Sequence, residues 1–295
     1  MRVLVTGGNG FVGSKLVERL AIAGHEVVAT VRHPFEGMDP NRCIVLAEEA
    51  SFSPLLDGID AVVHTAGVAH RPAATEEDYS QGNRDLTTRL AAEVANSGVR
   101  VMIHLSSIAA REAASAEGRR PASYGLSKLA AEPAVISLSE AGKLGVNLRP
   151  PLIYGPGAPG NWGRLVRLAR LPLPLPFASV KNRRSYLALD HLIEAILAVI
   201  AKVDQPALSG TYEIADRESP SLAEVVKAVR KGLSRRPGLI PFPPALLESG
   251  LRLAGREAMS EGLFGDLLLD ATPFESAFTW RPSLPTLEAM EASLA

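Results

Sequence analysis

The stretch that decides the fold is TGGNGFVG, residues 6–13. It follows the short apolar run Val3–Val5. Behind it, Val12, Leu16 and Leu20 recur at four-residue spacing, which is typical of one face of a helix. A strand, a glycine-rich turn and an amphipathic helix therefore follow one another at the start of the chain, the context that gives such a glycine pattern its meaning.

Each glycine of this turn has a separate expected task. Gly7 permits a tight turn, Gly10 lets a pyrophosphate approach the backbone, and Gly13 lets the helix pack close to the strand. The first helical residues, Phe11 and Val12, present backbone N–H groups and the positive end of the helix dipole to an anion. The stretch predicts a dinucleotide-binding turn.

The first half of the chain alternates short apolar runs with helical patterns. Repeated strand–helix–strand order predicts a parallel sheet with helices on both faces, and uninterrupted apolar strands are expected when both faces are buried. The expected fold is therefore α/β, a Rossmann-type doubly wound parallel sheet. The runs that we interpret as strands are Val3–Val5, Val27–Val31, Cys43–Leu46, Ala61–His64, Val101–Leu105 and Val146–Leu148.

The character of the sequence changes after Tyr154, where the turn-rich GPGAPG follows at residues 155–160. We expect residues 1–150 to form the nucleotide-binding domain. Residues 151–184 and 206–295 are expected to form a smaller C-terminal α/β substrate-binding region. The apolar stretch 187–203 contains charges, so it predicts an amphipathic helix, and residues 185–205 are expected to return to the first domain.

The residue after the second strand bears on the choice of cofactor. NAD sites usually place an acid there to bind the ribose 2′-hydroxyl, but here the strand ends at Val31 and Arg32 follows, 19 residues after Gly13. A guanidinium can bind a 2′-phosphate with two hydrogen bonds. The sequence favours NADP(H), with NAD(H) as the alternative.

Three further residues have the chemistry of proton transfer. Tyr124 and Lys128 are four residues apart and share a helix face, and Ser107 follows the strand Val101–Leu105. A nearby ammonium is expected to lower the pKa of the tyrosine, which can then exchange a proton with a carbinol. The serine hydroxyl can hydrogen-bond the same substrate oxygen.

With HTAG at 64–67, LSS at 105–107, YGLSK at 124–128 and RPPLIYGPG at 149–157, the chain resembles the extended short-chain dehydrogenases/reductases. More narrowly it resembles the NAD-dependent epimerase/dehydratase family. The resemblance implies a catalytic triad of Ser107, Tyr124 and Lys128. It also implies a structural or proton-relay role for Asn83, and that Ala66 and Gly67 line the adenosine-side ribose.

The second half of the chain resembles the nucleotide-sugar branch, and in particular bacterial surface-polysaccharide enzymes that act at C4 of UDP-N-acetylhexosamines. The resemblance implies that Asn161 approaches the nucleotide diphosphate and that Arg184 binds its pyrophosphate. A diphosphate also needs local cations in a nearly neutral protein, and Arg183 and Arg184 supply them. Dehydratases of the family carry an Asp-Glu pair where this chain has residues 108–110, Ile-Ala-Ala, so a dehydratase is disfavoured.

Several functions are compatible with these motifs. The favoured one is a 4-keto reductase or dehydrogenase of a nucleotide-activated hexose, with a UDP-sugar as the expected substrate. A UDP-sugar 4-epimerase that retains NAD is the alternative. A small-ketone reductase also remains, because Ala29-Thr30-Val31-Arg32 resembles that branch, as does a non-catalytic NAD(P)-sensing protein, which would not need the triad.

Composition restricts the partners. The net charge is −1, so no overall field recruits nucleic acid or an anionic membrane. One cysteine and six histidines without metal-ligand spacing predict no metal site. Residues 1–6 reach glycine after three apolar residues, so we expect no signal peptide there and a cytoplasmic protein. A homodimer is left open.

Overall fold

A computed structural model describes residues 1–294 except 37, 40, 41, 48, 49, 70–72, 117–121 and 256. The helices and strands are, in chain order, β1 Arg2–Thr6, α1 Phe11–Ile22, β2 Glu26–Val31, β3 Cys43–Val45, β4 Ala61–His64, α2 Glu76–Tyr79, α3 Leu86–Ala95, β5 Val101–Leu105, α4 Ile108–Ala114, α5 Ser123–Ile136, β6 Leu144–Arg149, β7 Leu152–Tyr154, α6 Gly160–Ala169, β8 Tyr186–Ala188, α7 Leu189–Ile200, β9 Gly210–Glu213, α8 Leu222–Gly232, α9 Pro244–Leu253, α10 Glu257–Phe264, α11 Thr272–Phe278 and α12 Thr286–Ala292.

The main sheet is parallel. In the described part of the chain it has seven strands, in the order β3-β2-β1-β4-β5-β6-β9. The strand order reverses between β1 and β4. Open parallel sheets bind ligands at the carboxyl ends of the strands on either side of such a reversal. The expected Rossmann-type doubly wound sheet is confirmed.

The core explains why the central strands are uninterrupted apolar runs. Leu4, Val62 and Met102 on β1, β4 and β5 are fully buried against Leu90 of α3 and Val135 of α5. Each such side chain contributes about 1.5–3 kcal/mol through removal from water. This burial fixes the strand ends, and with them the turns that follow the strands.

The chain divides into two compact units. The first comprises residues 1–150, 193–213 and 271–280, and the second comprises 151–192, 214–270 and 281–295. The returning segment is thus 193–213 where the sequence indicated 185–205. Residues 186–188 form a strand, β8, which pairs with β7 in the second unit. The helix expected over 187–203 is shorter, because α7 begins at Leu189.

The last segment of the first unit belongs there because of aromatic packing. Tyr212 of β9 meets Phe274 and Phe278 of α11 edge-on, with ring centroids 5.8 and 5.3 Å apart. Trp280 packs on Phe274 at 5.4 Å. Contacts between residues more than 60 positions apart cannot be obtained from local periodicity.

The second unit has its own core and its own buried polar cluster. Asp216 accepts hydrogen bonds from Tyr154 at 2.6 Å and from Nδ1 of His191 at 2.7 Å. Nε2 of His191 accepts the backbone N–H of Leu284 at 3.2 Å, so His191 carries its proton on Nδ1. The cluster joins three separate stretches of the unit.

Among the described residues, no helix is both long and apolar enough to cross a bilayer.

Candidate active site

The glycine turn between β1 and α1 is built as its sequence predicts. Gly7 has φ of +76°, which favours glycine. A Cβ on Gly13 would lie 2.1 Å from the Gly7 carbonyl oxygen, so only glycine permits this approach of α1 to the turn. Gly10 caps α1 without a side chain. The first-turn N–H groups of Phe11 and Val12 are therefore not covered by a capping side chain, and the turn fits a pyrophosphate.

The turn after β4 lies against the glycine turn. A Cβ on Gly7 would come within 2.9 Å of Cα of Ala66, and the Ala66 N–H donates to the Thr6 hydroxyl at 3.3 Å. A Cβ on Gly67 would lie 2.6 Å from Oδ1 of Asn83. The residues expected around the cofactor thus share one edge of the sheet. Arg32 is exposed and follows β2, the strand beside β1.

Ser107 is positioned by the start of α4. Its hydroxyl oxygen accepts the Ala109 N–H at 3.2 Å as the N-cap of that helix. The same hydroxyl hydrogen-bonds the Tyr124 phenol. The structure therefore brings together the serine and tyrosine that the sequence singled out.

The sequence predicted a lowered pKa for Tyr124, and this prediction is wrong, because the pKa is raised. Burial raises the pKa of the phenol, and the hydrogen bond from Ser107 opposes that shift without reversing it. The Lys128 ammonium is not among the causes. Tyr79 of α2, which the sequence did not single out, lies beside Tyr124 with ring centroids 6.0 Å apart and raises its pKa further.

Lys128 is buried one helical turn beyond Tyr124. Its Nζ donates to the Leu105 carbonyl at 2.8 Å and lies 3.5 Å from Nε2 of His104. Burial lowers the pKa of Lys128 to about 8, although the nearby Glu132 carboxylate raises it. A lysine in this position can gain or lose its proton near neutral pH.

His104 is oriented as a hydrogen-bond acceptor for Lys128. Its Nδ1 is 2.9 Å from Oδ1 of Asn147, an acceptor, so Nδ1 carries the proton and Nε2 is free to accept. The Asn147 amide is itself fixed, because its Nδ2 donates to the Glu132 carbonyl at 3.0 Å. Burial and the Lys128 charge lower the pKa of His104, so the ring is neutral. The sequence motifs assigned His104 no role in the site.

The stacked neighbour of His104 is His64, whose ring centroid is 5.6 Å away. His64 hydrogen-bonds the hydroxyls of Thr6 at 2.6 Å and Thr87 at 3.0 Å. Burial, and then the Lys128 charge, lower the pKa of His64 to about 3. Both rings are therefore neutral, and each hydrogen-bonds a residue of a neighbouring strand.

Asn83 lies in a π-helical turn, Ser80–Asp85, between α2 and α3. Its Oδ1 accepts the Val68 N–H at 2.8 Å, and its Nδ2 donates to the Val68 carbonyl at 3.1 Å and to Ser127 at 2.9 Å. Among the described residues, the side chain of Asn83 hydrogen-bonds only the backbone of Val68 and the Ser127 hydroxyl of α5. The contacts support a structural role, and a part in a proton relay stays a prediction.

A buried ion pair beside the triad was not anticipated from sequence. Arg149, at the end of β6, binds Glu132 of α5 with two nitrogens, the shorter distance being 2.5 Å. Ser106 donates to the same carboxylate at 2.6 Å. The Glu132 hydrogen bond raises the pKa of Arg149. Glu132 is four residues after Lys128, a spacing that signals a shared helix face and that could have revealed this contact.

The residues expected at the nucleotide diphosphate belong to the second unit. Asn161 is exposed on α6 and accepts from Arg164 at 3.4 Å. Arg183 is exposed and donates to the Ser219 carbonyl at 3.0 Å, and Arg184 is half-buried and donates to the Gly265 carbonyl at 2.8 Å. These two arginines are adjacent in a segment anchored by bridges to Ser221 and Leu267.

Comparisons with known proteins agree with this architecture. A model of the family described as "NAD dependent epimerase/dehydratase family" matches residues 3–215. A UDP-glucose 4-epimerase of Vibrio cholerae is 30% identical over 95% of this chain and 90% of its own length. A ceramide reductase of Caulobacter vibrioides is 32% identical over 84% of this chain and 76% of its own length.

Solved structures share the fold. A UDP-N-acetylglucosamine 4-epimerase from Bacillus cereus superposes with a TM-score of 0.75 at 20% identity, covering 99% of this chain and 94% of that one. A UDP-glucuronic acid 4-epimerase from the same species, in complex with NAD, gives a TM-score of 0.74 at 18% identity, covering 100% and 95%. With the glycine turn and the family model, these findings show that the chain belongs to the NAD-dependent epimerase/dehydratase family of enzymes.

Proposed function

We propose that the protein transfers hydride at C4 of a nucleotide-activated hexose, a UDP-sugar, using a nicotinamide cofactor. The observation that carries the proposal is the arrangement of Ser107, Tyr124 and Lys128 within the first unit, on the same sheet edge as the glycine turn. Bound in the turn, the dinucleotide supplies a hydride acceptor or donor. The chain's own residues supply the proton chemistry and the positioning.

Tyr124 is the proposed acid/base. Its buried phenol exchanges a proton with the C4 hydroxyl of the sugar, while the Ser107 hydroxyl binds the same oxygen and Tyr124 together. Because burial raises its pKa, Tyr124 is protonated at neutral pH and is suited to donate a proton to a 4-keto group. Proton donation of this kind serves a 4-keto reductase and also the re-reduction step of a 4-epimerase.

Lys128 is proposed to hold the nicotinamide ribose beside Tyr124, and not to set the pKa of the phenol. Its ammonium already satisfies two acceptors, the Leu105 carbonyl and His104. Those bonds leave a third N–H for a further acceptor. Their fixed geometry supports an orienting role for Lys128 and does not require it to transfer the proton itself.

Arg32 supports NADP(H) as the preferred cofactor. It is exposed directly after β2, beside the strand that leads into the glycine turn. A guanidinium there offers two parallel donors to a 2′-phosphate, which an NAD-specific acid would repel.

The nucleotide diphosphate is proposed to be bound by Arg183, Arg184 and Asn161. Its negative charge needs local cations in a protein whose net charge is −1.

Epimerisation is the alternative at the same carbon. A 4-epimerase oxidises and re-reduces C4 and keeps its cofactor, whereas a reductase releases it. Incubation with UDP-glucose and UDP-N-acetylglucosamine, followed by separation of the products, distinguishes the two. A C4 epimer formed without added cofactor favours the epimerase, and a stoichiometric change in nicotinamide redox state favours the reductase or dehydrogenase.

A ketone reductase of lipids or alkyl chains is a second candidate. The specific observation is the similarity to the Caulobacter ceramide reductase and to a Stenotrophomonas maltophilia 2-alkyl-3-oxoalkanoate reductase, 30% identical over 58% of this chain. Thermal melting with ligands tests the choice, because a ligand that binds only the native state must stabilise it. If UDP, dTDP and GDP at millimolar concentration with NADP(H) leave Tm unchanged, the second candidate becomes the better one.

A further inference from the structure

Two segments of the second unit repeat one pattern of residues. RLARLPL at residues 167–173 and RRPGLIPF at 235–242 each contain two arginines and, after them, a proline between two large apolar residues, Pro172 in the first segment and Pro241 in the second. No acid occurs between residues 160 and 189 or between 232 and 247. We name the surface formed by 167–173 and 235–242 the paired-loop surface.

The two segments lie side by side. Leu175 and Leu239 form a parallel bridge, and the Ile240 N–H donates to the Leu175 carbonyl at 3.0 Å. The guanidinium of Arg230, on α8, binds both segments. It donates to the Leu173 carbonyl at 2.7 Å and to the Gly238 carbonyl at 2.9 Å. Arg230 is almost fully buried, so the surface is a built feature rather than two independent loops.

The surface exposes large apolar side chains. Leu171, Leu173, Ile240 and Phe242 are 44%, 62%, 46% and 38% exposed. Leu246, in the first turn of α9, follows directly and is 61% exposed. Leu175 and Leu239 instead face the core of the unit, so the segments are held from beneath while their apolar residues remain in solvent. Such clustering marks an interaction site more than scattered exposed residues do.

The surface is also cationic. Arg167, Arg170, Arg235 and Arg236 are exposed, and within the described residues none has a carboxylate in an ion pair. Burial, and then the charge of Arg235, lower the pKa of Arg230, the arginine that holds both segments. Exposed apolar residues flanked by unpaired arginines fit the interface of an anionic phospholipid bilayer, where apolar groups enter the headgroup boundary and arginines meet phosphates.

We propose that the paired-loop surface docks the protein on anionic phospholipid bilayers as a peripheral protein. The net charge of −1 does not predict this, because it averages a local cluster of cations over the whole chain. None of the residues involved belongs to the proposed cofactor or substrate site. The inference therefore stands independently of the proposed function.

Flotation with vesicles tests the proposal on the full chain. We expect binding to phosphatidylcholine vesicles that contain phosphatidylglycerol, little binding to pure phosphatidylcholine, and weaker binding as salt rises. Leu173→Asp with Ile240→Asp, and separately Arg235→Ala with Arg236→Ala, should each weaken binding at least about tenfold. Matched controls in the first unit are Ile22→Asp, at a residue 70% exposed, and Arg42→Ala, which should bind as the unmodified protein does.

The arginine pair is exposed, so its replacement leaves the fold intact and keeps the test valid if the aspartate variant does not fold. Equal affinity for vesicles with and without phosphatidylglycerol would overturn the proposal, as would full binding by both double variants. Sedimentation distinguishes membrane docking from association between copies of the chain. If the double variants convert an oligomer to a monomer and leave vesicle binding unchanged, the surface is an interface between copies of the chain and the proposal is wrong.

Discussion

At the scale of single residues, Tyr124 bears most directly on the proposed chemistry. Tyr124→Phe keeps the ring and removes the hydroxyl that Ser107 binds. We expect kcat to fall by roughly two to four decades with little change in cofactor affinity, because a general acid/base is lost. Tyr79→Phe is the matched control, since its ring packs beside Tyr124 at 6.0 Å. Near-full turnover of the Tyr124 variant would exclude this residue as the proton donor.

Lys128 should make stability depend on pH. Its pKa is about 8 in the folded protein against 10.5 for the free side chain, so the unfolded chain binds more protons between these values. The unmodified protein should therefore gain stability relative to Lys128→Met as pH rises from 8 toward 10.5, by on the order of 1–3 kcal/mol. Denaturant unfolding at several pH values measures this difference. Lys181→Met, at an exposed position, controls for removal of a lysine, and a pH-independent difference for Lys128→Met would contradict the lowered pKa.

Arg32 should decide between the two cofactors. We expect the unmodified protein to bind NADPH more tightly than NADH and Arg32→Ala to lose most of this preference, because the 2′-phosphate loses its cation. Val31→Asp should shift preference toward NADH. Titration by quenching of protein fluorescence gives both affinities. Equal affinities in the unmodified protein would refute the assignment.

At the scale of elements, the glycine turn imposes the sharpest steric requirement. Gly13→Ala would place a Cβ 2.1 Å from the Gly7 carbonyl oxygen, so α1 must move away from the turn. We expect a loss of about 1–3 kcal/mol of stability, as for other overpacked sites, together with weaker dinucleotide binding. Gly98→Ala is the control, because its Cβ would meet no atom within 4 Å. Unchanged cofactor affinity in Gly13→Ala would show that the turn does not bind the pyrophosphate.

The same scale shows what sequence could predict. The strands before residue 150 and the turn after β1 depend on local pattern and burial, and their expected positions agree with the structure to within one or two residues. β8 and the segment 271–280 were not anticipated, because their places depend on pairing with β7 and on rings packed against Tyr212. Local periodicity contains no information about such partners.

The site was predictable only where it depends on local sequence pattern. Motif spacing identified Ser107, Tyr124 and Lys128, and the structure brings the first two into hydrogen-bond contact. Motif spacing did not reveal that His104 accepts from Lys128 or that the pKa of Tyr124 is raised. Both depend on burial and on distances between separate strands and helices.

At the scale of the whole molecule, the proposed function requires transfer of hydride at C4 of a nucleotide sugar. The most direct measurement mixes the protein and oxidised cofactor with UDP-hexoses carrying deuterium at C4 and follows the reduced nicotinamide by absorbance in a single turnover. Reduced cofactor should form, transiently or in net amount, with a primary isotope effect, and Tyr124→Phe should suppress its formation. Failure of every UDP-hexose to reduce the cofactor, with an alkyl ketone instead oxidising NADPH, would contradict the nucleotide-sugar account.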